Sequence, residues 1–269
     1  NANKESNGDT PSIATLTAGG GDGGDRTSLY EAILAANNTA NSPAGTPDMI
    51  QFAIPGAGPH VIDVSSGAIA LPTIVEPLII DGYSENNGGA ASANTTSIAS
   101  AINATILIVL DGNGLASPGL SIATGGGGSE IRGLNIQDFD GAGIEILDSD
   151  DNIVAGNFIG TNDAGTAAAA NTFGVSITGT STGNTVGGTN AADRNLISGN
   201  SASGAFLSNG ATMNTVEGNF IGMQADGTTT LGNGGSGVFV NDTANATTIG
   251  GTTTASRNVI SSNNTGGRL

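Results

Sequence analysis

The densest set of groups able to do chemistry in this chain is acidic: Asp138, Asp140, Glu145, Asp148, Asp150 and Asp151 lie close together in the sequence. Carboxylates grouped in this way serve two chemistries. They hold Ca²⁺ through hard oxygen ligands, and as a pair they divide the acid and base roles of glycoside hydrolysis. Asp138-Phe139-Asp140-Gly141 and Asp148-Ser149-Asp150-Asp151 are separated by one strand-length run. The two pairs therefore stand either at two ends of a strand or on converging neighbouring turns. Asp138, Asp140, Asp148 and Asp150 are the candidate metal ligands, with Ca²⁺ the ion they would suit, beside a plainer reading as hydrated turn residues. Neither the EF-hand loop nor the repeated Gly/Asp nonapeptide is present. His60, the single histidine, sits in Pro59-His60-Val61-Ile62 and reads as an early-strand residue before it reads as a catalyst. Arg132, Arg194 and Arg257 are isolated in the sequence, and no residue is assigned a catalytic role.

Composition narrows the partners. Six Lys+Arg stand against 23 Asp+Glu in 269 residues, a formal charge of -17. No basic patch is available to neutralise phosphates, which argues against a nucleic-acid partner, and the same charge repels acidic polysaccharides such as pectin or alginate. Apolar residues make up 37% and charged ones 11%, so the chain has the means to bury a core. Its apolar runs, such as Ile106 to Leu110, are far short of a bilayer span, and no membrane insertion is expected. With no Cys, a disulfide framework and thiol-ligated metals are excluded.

The elements that would position these groups are announced by repetition. Gly156-Asn157-Phe158-Ile159-Gly160 returns as Gly218-Asn219-Phe220-Ile221-Gly222, a shift of 62, and Arg194-Asn195-Leu196-Ile197-Ser198 returns as Arg257-Asn258-Val259-Ile260-Ser261, a shift of 63. A shorter period runs inside the long one. A Gly followed by alternating apolar residues opens at Gly143, Gly174, Gly204 and Gly237, in steps of 31, 30 and 33. Each step holds two further short runs, for instance Asn184-Thr185-Val186 and Asn195-Leu196-Ile197. Strands this short cannot each bury a face alone, but stacked in register they enclose a common apolar interior. The pattern predicts an all-β fold, a right-handed parallel β-helix with three short strands per coil of about 30 residues. Asn157, Asn200, Asn219 and Asn263 are read as structural residues at equivalent strand ends, their amides hydrogen-bonding from coil to coil.

Extra length alternates between coils. Thr161 to Thr172 and Met223 to Ser236 follow one strand; Thr189 to Asp193 and Thr252 to Ser256 follow another. These insertions are expected to project from two corners, and loops on one face of a stack are where binding usually resides. Asn162, Asp163, Gln224, Asp226 and Thr228 are the candidate binding residues there, with a glycan among the partners considered. Before residue 140 the pattern loosens, but runs persist at Met49 to Phe52, His60 to Val64, Leu78 to Asp81, Ile106 to Asp111, Leu120 to Ala123 and Ile131 to Ile136. Tyr83 to Asn103 reads as a long polar loop. A short helix over 27–38 is predicted from Leu29, Ala32, Ile33 and Ala36 on one face and Ser28-x-x-Glu31 as a capping box, placed to cover the first coil. The division expected is a Gly-rich segment 1–24 and a single β-helix domain 25–269, with regular repeats over 140–264.

Thr27 to Asn37, Asp48-Met49-Ile50-Gln51-Phe52, Ile54-Pro55-Gly56, Leu71-Pro72-Thr73-Ile74 and Ile79-Ile80-Asp81-Gly82 together resemble the opening of bacterial surface proteins of the CSLREA-domain family. The later Asn/Gly-rich blocks look like the β-helix repeats that follow in those proteins. Thr27 stands where the family usually has Cys, and Tyr30 where it usually has Arg. The resemblance implies a right-handed β-helix exported to the cell surface or beyond, and it implies no reaction. The expectation is a non-catalytic extracellular structural or adhesive module, self-associating end to end or bound to another surface component. Its rival is a polysaccharide lyase or glycoside hydrolase.

Overall fold

The computed structural model describes residues 27–41, 46–67, 69–86, 90–241 and 243–268. The segment 1–24 lies outside the described residues. Strands form three sheets in which every ladder between strands is parallel. The first sheet runs Asp48–Gln51, Leu78–Asp81, Glu130–Arg132, Ile153–Ala155, Thr185–Gly187, Thr215–Glu217 and Thr248–Ile249. The second runs His60–Asp63, Ile108–Leu115, Leu134–Phe139, Phe158–Ile159, Leu196–Ile197, Phe220–Ile221 and Val259–Ile260. The third runs Leu120–Ile122, Ala142–Leu147, Phe173–Thr178, Ala205–Leu207, Ser236–Val240 and Thr265–Arg268, preceded by a bridge from Ile74 to Ile122. The chain visits first, second and third sheet in that order on every circuit.

Alternation decides which side chains face inward. Ile131, Val154, Val186 and Val216 from the first sheet meet Ile136, Ile159, Ile197 and Ile221 from the second and Ile144, Val175, Ala205 and Val238 from the third in one buried cluster. Each buried Ile or Val contributes about 1.5–3 kcal/mol relative to exposure. The stacking of like on like is why a chain so poor in aromatics can still fill its interior. Glycine opens the third-sheet strands for a steric reason: a Cβ on Gly174 would lie 2.5 Å from the carbonyl oxygen of Gly204 and 2.5 Å from Ile197.

The predicted helix is present as Leu29–Asn37. Ser28 Oγ accepts from the Glu31 amide at 3.1 Å, and Glu31 Oε2 accepts from the Ser28 amide at 3.0 Å, closing the capping box. Leu29, Ile33 and Ala36 join the core beside the opening strand of the first sheet. Asn37 donates to the carbonyl of Thr73 at 2.7 Å and accepts from the Val75 amide at 3.0 Å. The helix is thereby fixed on the segment that opens the third sheet. Among the described residues no helix is long and apolar enough to cross a membrane.

Three boundaries differ from the sequence reading. Ile131 to Ile136 is two strands on two sheets, because Gly133, at φ +70, turns a corner where a Cβ would meet the Tyr83 backbone at 2.6 Å. Asp111-Gly112 lies inside a strand, at a shift of register between Asp111 and Leu115. The three-sheet order also begins at Asp48, far ahead of residue 140, because the early circuits share the ladders while differing in loop length.

Candidate functional site

Among the buried polar groups, asparagines form three ladders, one at each corner. At the corner entering the first sheet, Asn184 Oδ1 accepts from both the backbone amide (2.9 Å) and Nδ2 (2.8 Å) of Asn152, and Asn214 does the same for Asn184. Asn157, Asn195, Asn219 and Asn258 form the second ladder, and Asn171, Asn200, Asn233 and Asn263 the third. Asn157 and Asn219 therefore belong to one corner and Asn200 and Asn263 to another, which corrects the single set of equivalent strand ends read from the sequence. The spare Nδ2 hydrogen goes to a carbonyl of an earlier circuit, as from Asn195 to Val154 at 2.8 Å, except at Asn152, where it goes to Ser149 Oγ at 3.0 Å. The corners are thus hydrogen-bonded within the protein, and an amide side chain suits them because its oxygen accepts two bonds from one neighbouring circuit while its NH₂ donates to both sides.

The predicted corner loops come together outside the second sheet. Each is a small hairpin, closed by the bridges Thr161 to Ala168 and Met223 to Thr230. Asn162 Oδ1 accepts from the amides of Thr166 (2.9 Å) and Ala167 (3.1 Å). In the second loop Asp226 takes over that work: Oδ1 accepts from the amides of Thr228 (2.8 Å) and Thr229 (2.7 Å), and Oδ2 from the Thr229 hydroxyl. Those bonds, the Thr229 hydroxyl first, pull the Asp226 carboxyl down to about 2. The Gln224 amide closes the hairpin onto Thr229 O at 2.8 Å, and Thr228 is exposed. Ala225 N donates to Gly165 O at 2.9 Å, stacking one loop on the other. Asp163 lines a cleft of about 320 Å³ with Ile102, Thr105, Ile106, Phe158 and Ala225. Asn162, Gln224 and Asp226 therefore build their loops, and Asp163 is the candidate that faces a cavity.

The acidic pairs occupy opposite ends of the strand Ala142–Leu147, the first of the two arrangements the spacing left open. Asp148 Oδ1 accepts from the Thr180 amide at 2.8 Å and its hydroxyl at 3.1 Å; Asp150 Oδ1 accepts from the Thr182 amide at 2.8 Å. They cap the turn of the following circuit. Asp138 is raised by its burial and, secondarily, by the carboxylate of Asp111, and the carbonyl of Asp140 accepts from the Thr172 hydroxyl at 2.7 Å. Among the described residues no group of three or more His, Cys, Asp or Glu stands close enough to hold a metal ion.

His60 pairs with Ile108 in the second sheet, whereas Arg132 lies in the first, bound to Asp81 at 2.8 Å and Glu130 at 3.4 Å. Two groups were not singled out by sequence. Tyr83 donates its hydroxyl to Gly156 O at 2.5 Å, and burial raises its pKa far above the usual phenol range. Phe173, Phe206 and Phe239 stack along the outer side of the third sheet, with ring centroids 4.7 and 5.6 Å apart. Phe206 and Phe239 are register partners, whereas Phe173 stands three positions before Ser176, the partner of Phe206, so the row of rings does not follow the repeat. Compared with protein-family models, with curated proteins and with solved structures, the chain matches none.

Proposed function

We propose that the chain is a right-handed parallel β-helix working as a rigid, non-catalytic structural or adhesive module outside the cell, either a spacer within a surface protein or a subunit that associates end to end. The observation that carries this reading is the set of three asparagine ladders. They commit the buried corner asparagines to holding one circuit on the next, so the chemistry of the corners goes into length and stiffness. Right-handed winding is supported by the strong preference for right-handed connections between parallel strands. Seven stacked strands at about 4.8 Å give a stack about 30 Å long. The resemblance of the opening segment to the CSLREA-domain family supports export and a surface location. The exposed tips of the loops at Thr228 and the cleft beside Asp163 are where a glycan or another surface component would touch. Ca²⁺ shared by Asp138, Asp140, Asp148 and Asp150 draws no support from this geometry, which parts them into two pairs at opposite ends of one strand.

Negative-stain microscopy across a range of concentrations is the test. Isolated short rods fit the spacer, and filaments that lengthen with concentration fit the self-associating subunit. Release of oligosaccharides from a polysaccharide panel, abolished by His60→Ala or Asp148→Asn, would replace this reading by the enzymatic one. A melting temperature unchanged by chelator would dispose of the Ca²⁺.

A further inference from the structure

Residues 83–86 and 90–106, between the first-sheet strand that ends at Asp81 and the second-sheet strand that opens at Ile108, reach circuits far along the stack. The Tyr83 hydroxyl binds Gly156 O at 2.5 Å, and Asn94, 1% exposed, donates to Ala191 O at 2.8 Å. Arg194 Nη1 donates to Thr96 O at 2.9 Å and Ser97 O at 3.3 Å, and the Ile102 amide donates to Ala225 O at 2.7 Å. Gly156, Ala191 with Arg194, and Ala225 belong to three successive circuits, so this segment runs along the stack rather than around it. Underneath lies the outer row of the second sheet, in which Phe158, Leu196 and Phe220 are register partners. Ile98, Ile102 and Ile106 cover that row and form with it a second apolar cluster.

Arg194 is the pin. It is 4% exposed, its guanidinium carbon stands 5.2 Å over the Phe220 ring, and its hydrogen bonds go to carbonyls. A planar, weakly hydrated guanidinium can lie on a ring face and donate to carbonyl oxygens at its edge; an ammonium, a compact and strongly hydrated point charge, loses more hydration on taking the same buried place. Its repeat equivalent, Arg257, is exposed. We propose that residues 90–106, together with Tyr83, are a longitudinal latch, pinned by Arg194, that makes the three circuits holding Gly156, Arg194 and Ala225 open as one unit. A stack with only nearest-neighbour contacts frays circuit by circuit. The latch removes that freedom over its own length and leaves the circuits beyond Ser236 outside its hold.

The test uses the full chain, hydrogen exchange resolved at Val154, Val186 and Val216, and thermolysin cleavage before Ile98 and Ile102. In the wild type the three amides exchange at one common rate and the latch resists cleavage. In Arg194→Ala cleavage rises by roughly tenfold or more, the exchange rates separate with Val216 fastest, and Arg257→Ala behaves as the wild type. Arg194→Lys recovers only part of the protection. Tyr83→Phe, which removes one hydroxyl, gives the same separation in milder form and serves if Arg194→Ala does not fold. Graded rates in the wild type, or a latch in both Arg194→Ala and Tyr83→Phe as resistant as in Arg257→Ala, would overturn the proposal.

Discussion

Two copies of the same sequence block, Gly156 to Ser198 and Gly218 to Ser261, share their motifs and sit on the same sheets, but they live in different surroundings. In the first, Arg194 and Leu196 are sealed beneath a segment from much earlier in the chain; in the second, Arg257 is exposed and Val259 only partly buried. Asn195 stands inside its ladder, with Asn157 before it and Asn219 after, whereas Asn258 ends that ladder among the described residues. Identical local sequence thus acquires different energetic weight from what is laid over it and from its place in the stack. A repeat fixes where a side chain points, and a non-local segment fixes how much that side chain matters.

The comparison breaks most visibly at the outer aromatic row. Phe220→Ala, beneath the latch, should cost about 3–5 kcal/mol in denaturant unfolding, while Val259→Ala at the next register position costs under about 1.5 kcal/mol. Equal costs would show that the covering segment is not packed as described. The ladders give the next contrast. Asn195→Ala takes the acceptor from the Asn157 amide and the side-chain donor from Val154 O, leaves Asn219 Oδ1 only the Asn195 backbone amide, and should cost about 2–3 kcal/mol, whereas Asn258→Ala should cost about 1 kcal/mol, both read as shifts in urea midpoint at constant slope.

The corner loops differ least. Asp226 occupies the place that Ala164 holds in the earlier loop, and its folded carboxyl titrates near 2. A carboxyl depressed below its unfolded value near 3.9 contributes order above that value and loses it as pH falls through the folded one. Carboxyl NMR should therefore find Asp226 still ionised at about pH 3, with the Thr228 and Thr229 amides losing protection only near pH 2. In the Asn162 loop no such pH step is expected, and a step there would erase the distinction.

Much of this was legible in the residues. The period of Gly143, Gly174, Gly204 and Gly237 marks the third sheet directly, and Ser28 with Glu31 marks the helix. The turn of Gly133 left a mark that the reading of Ile131 to Ile136 as one run passed over: Ile131 and the pair Leu134 and Ile136 are out of phase for a single strand, and the approach of Tyr83 shows why glycine stands at the slip. The fate of residues 90–106 was not legible. Their composition is that of a polar loop, and three isoleucines among small residues do not announce that they cover Phe158 and Phe220. Of the candidate binding residues, the sequence located the loops but not which side chains build them, since Asn162 and Asp226 are spent on turns while Asp163 faces the cleft.

The chain contains no cysteine, which makes one cross-linking measurement decisive for the stacking itself. Thr185 and Thr215 are register partners on neighbouring strands, and Thr248 is the partner of Thr215 one strand further. Neighbouring strands stand about 4.8 Å apart, within reach of a disulfide, and next-but-one strands about 9.6 Å, beyond it. Under mild oxidation Thr185→Cys with Thr215→Cys should close an intramolecular bond in the folded monomer, and Thr185→Cys with Thr248→Cys should remain reduced. The reverse pattern, or no bond in either, would contradict the parallel one-circuit register on which the account rests.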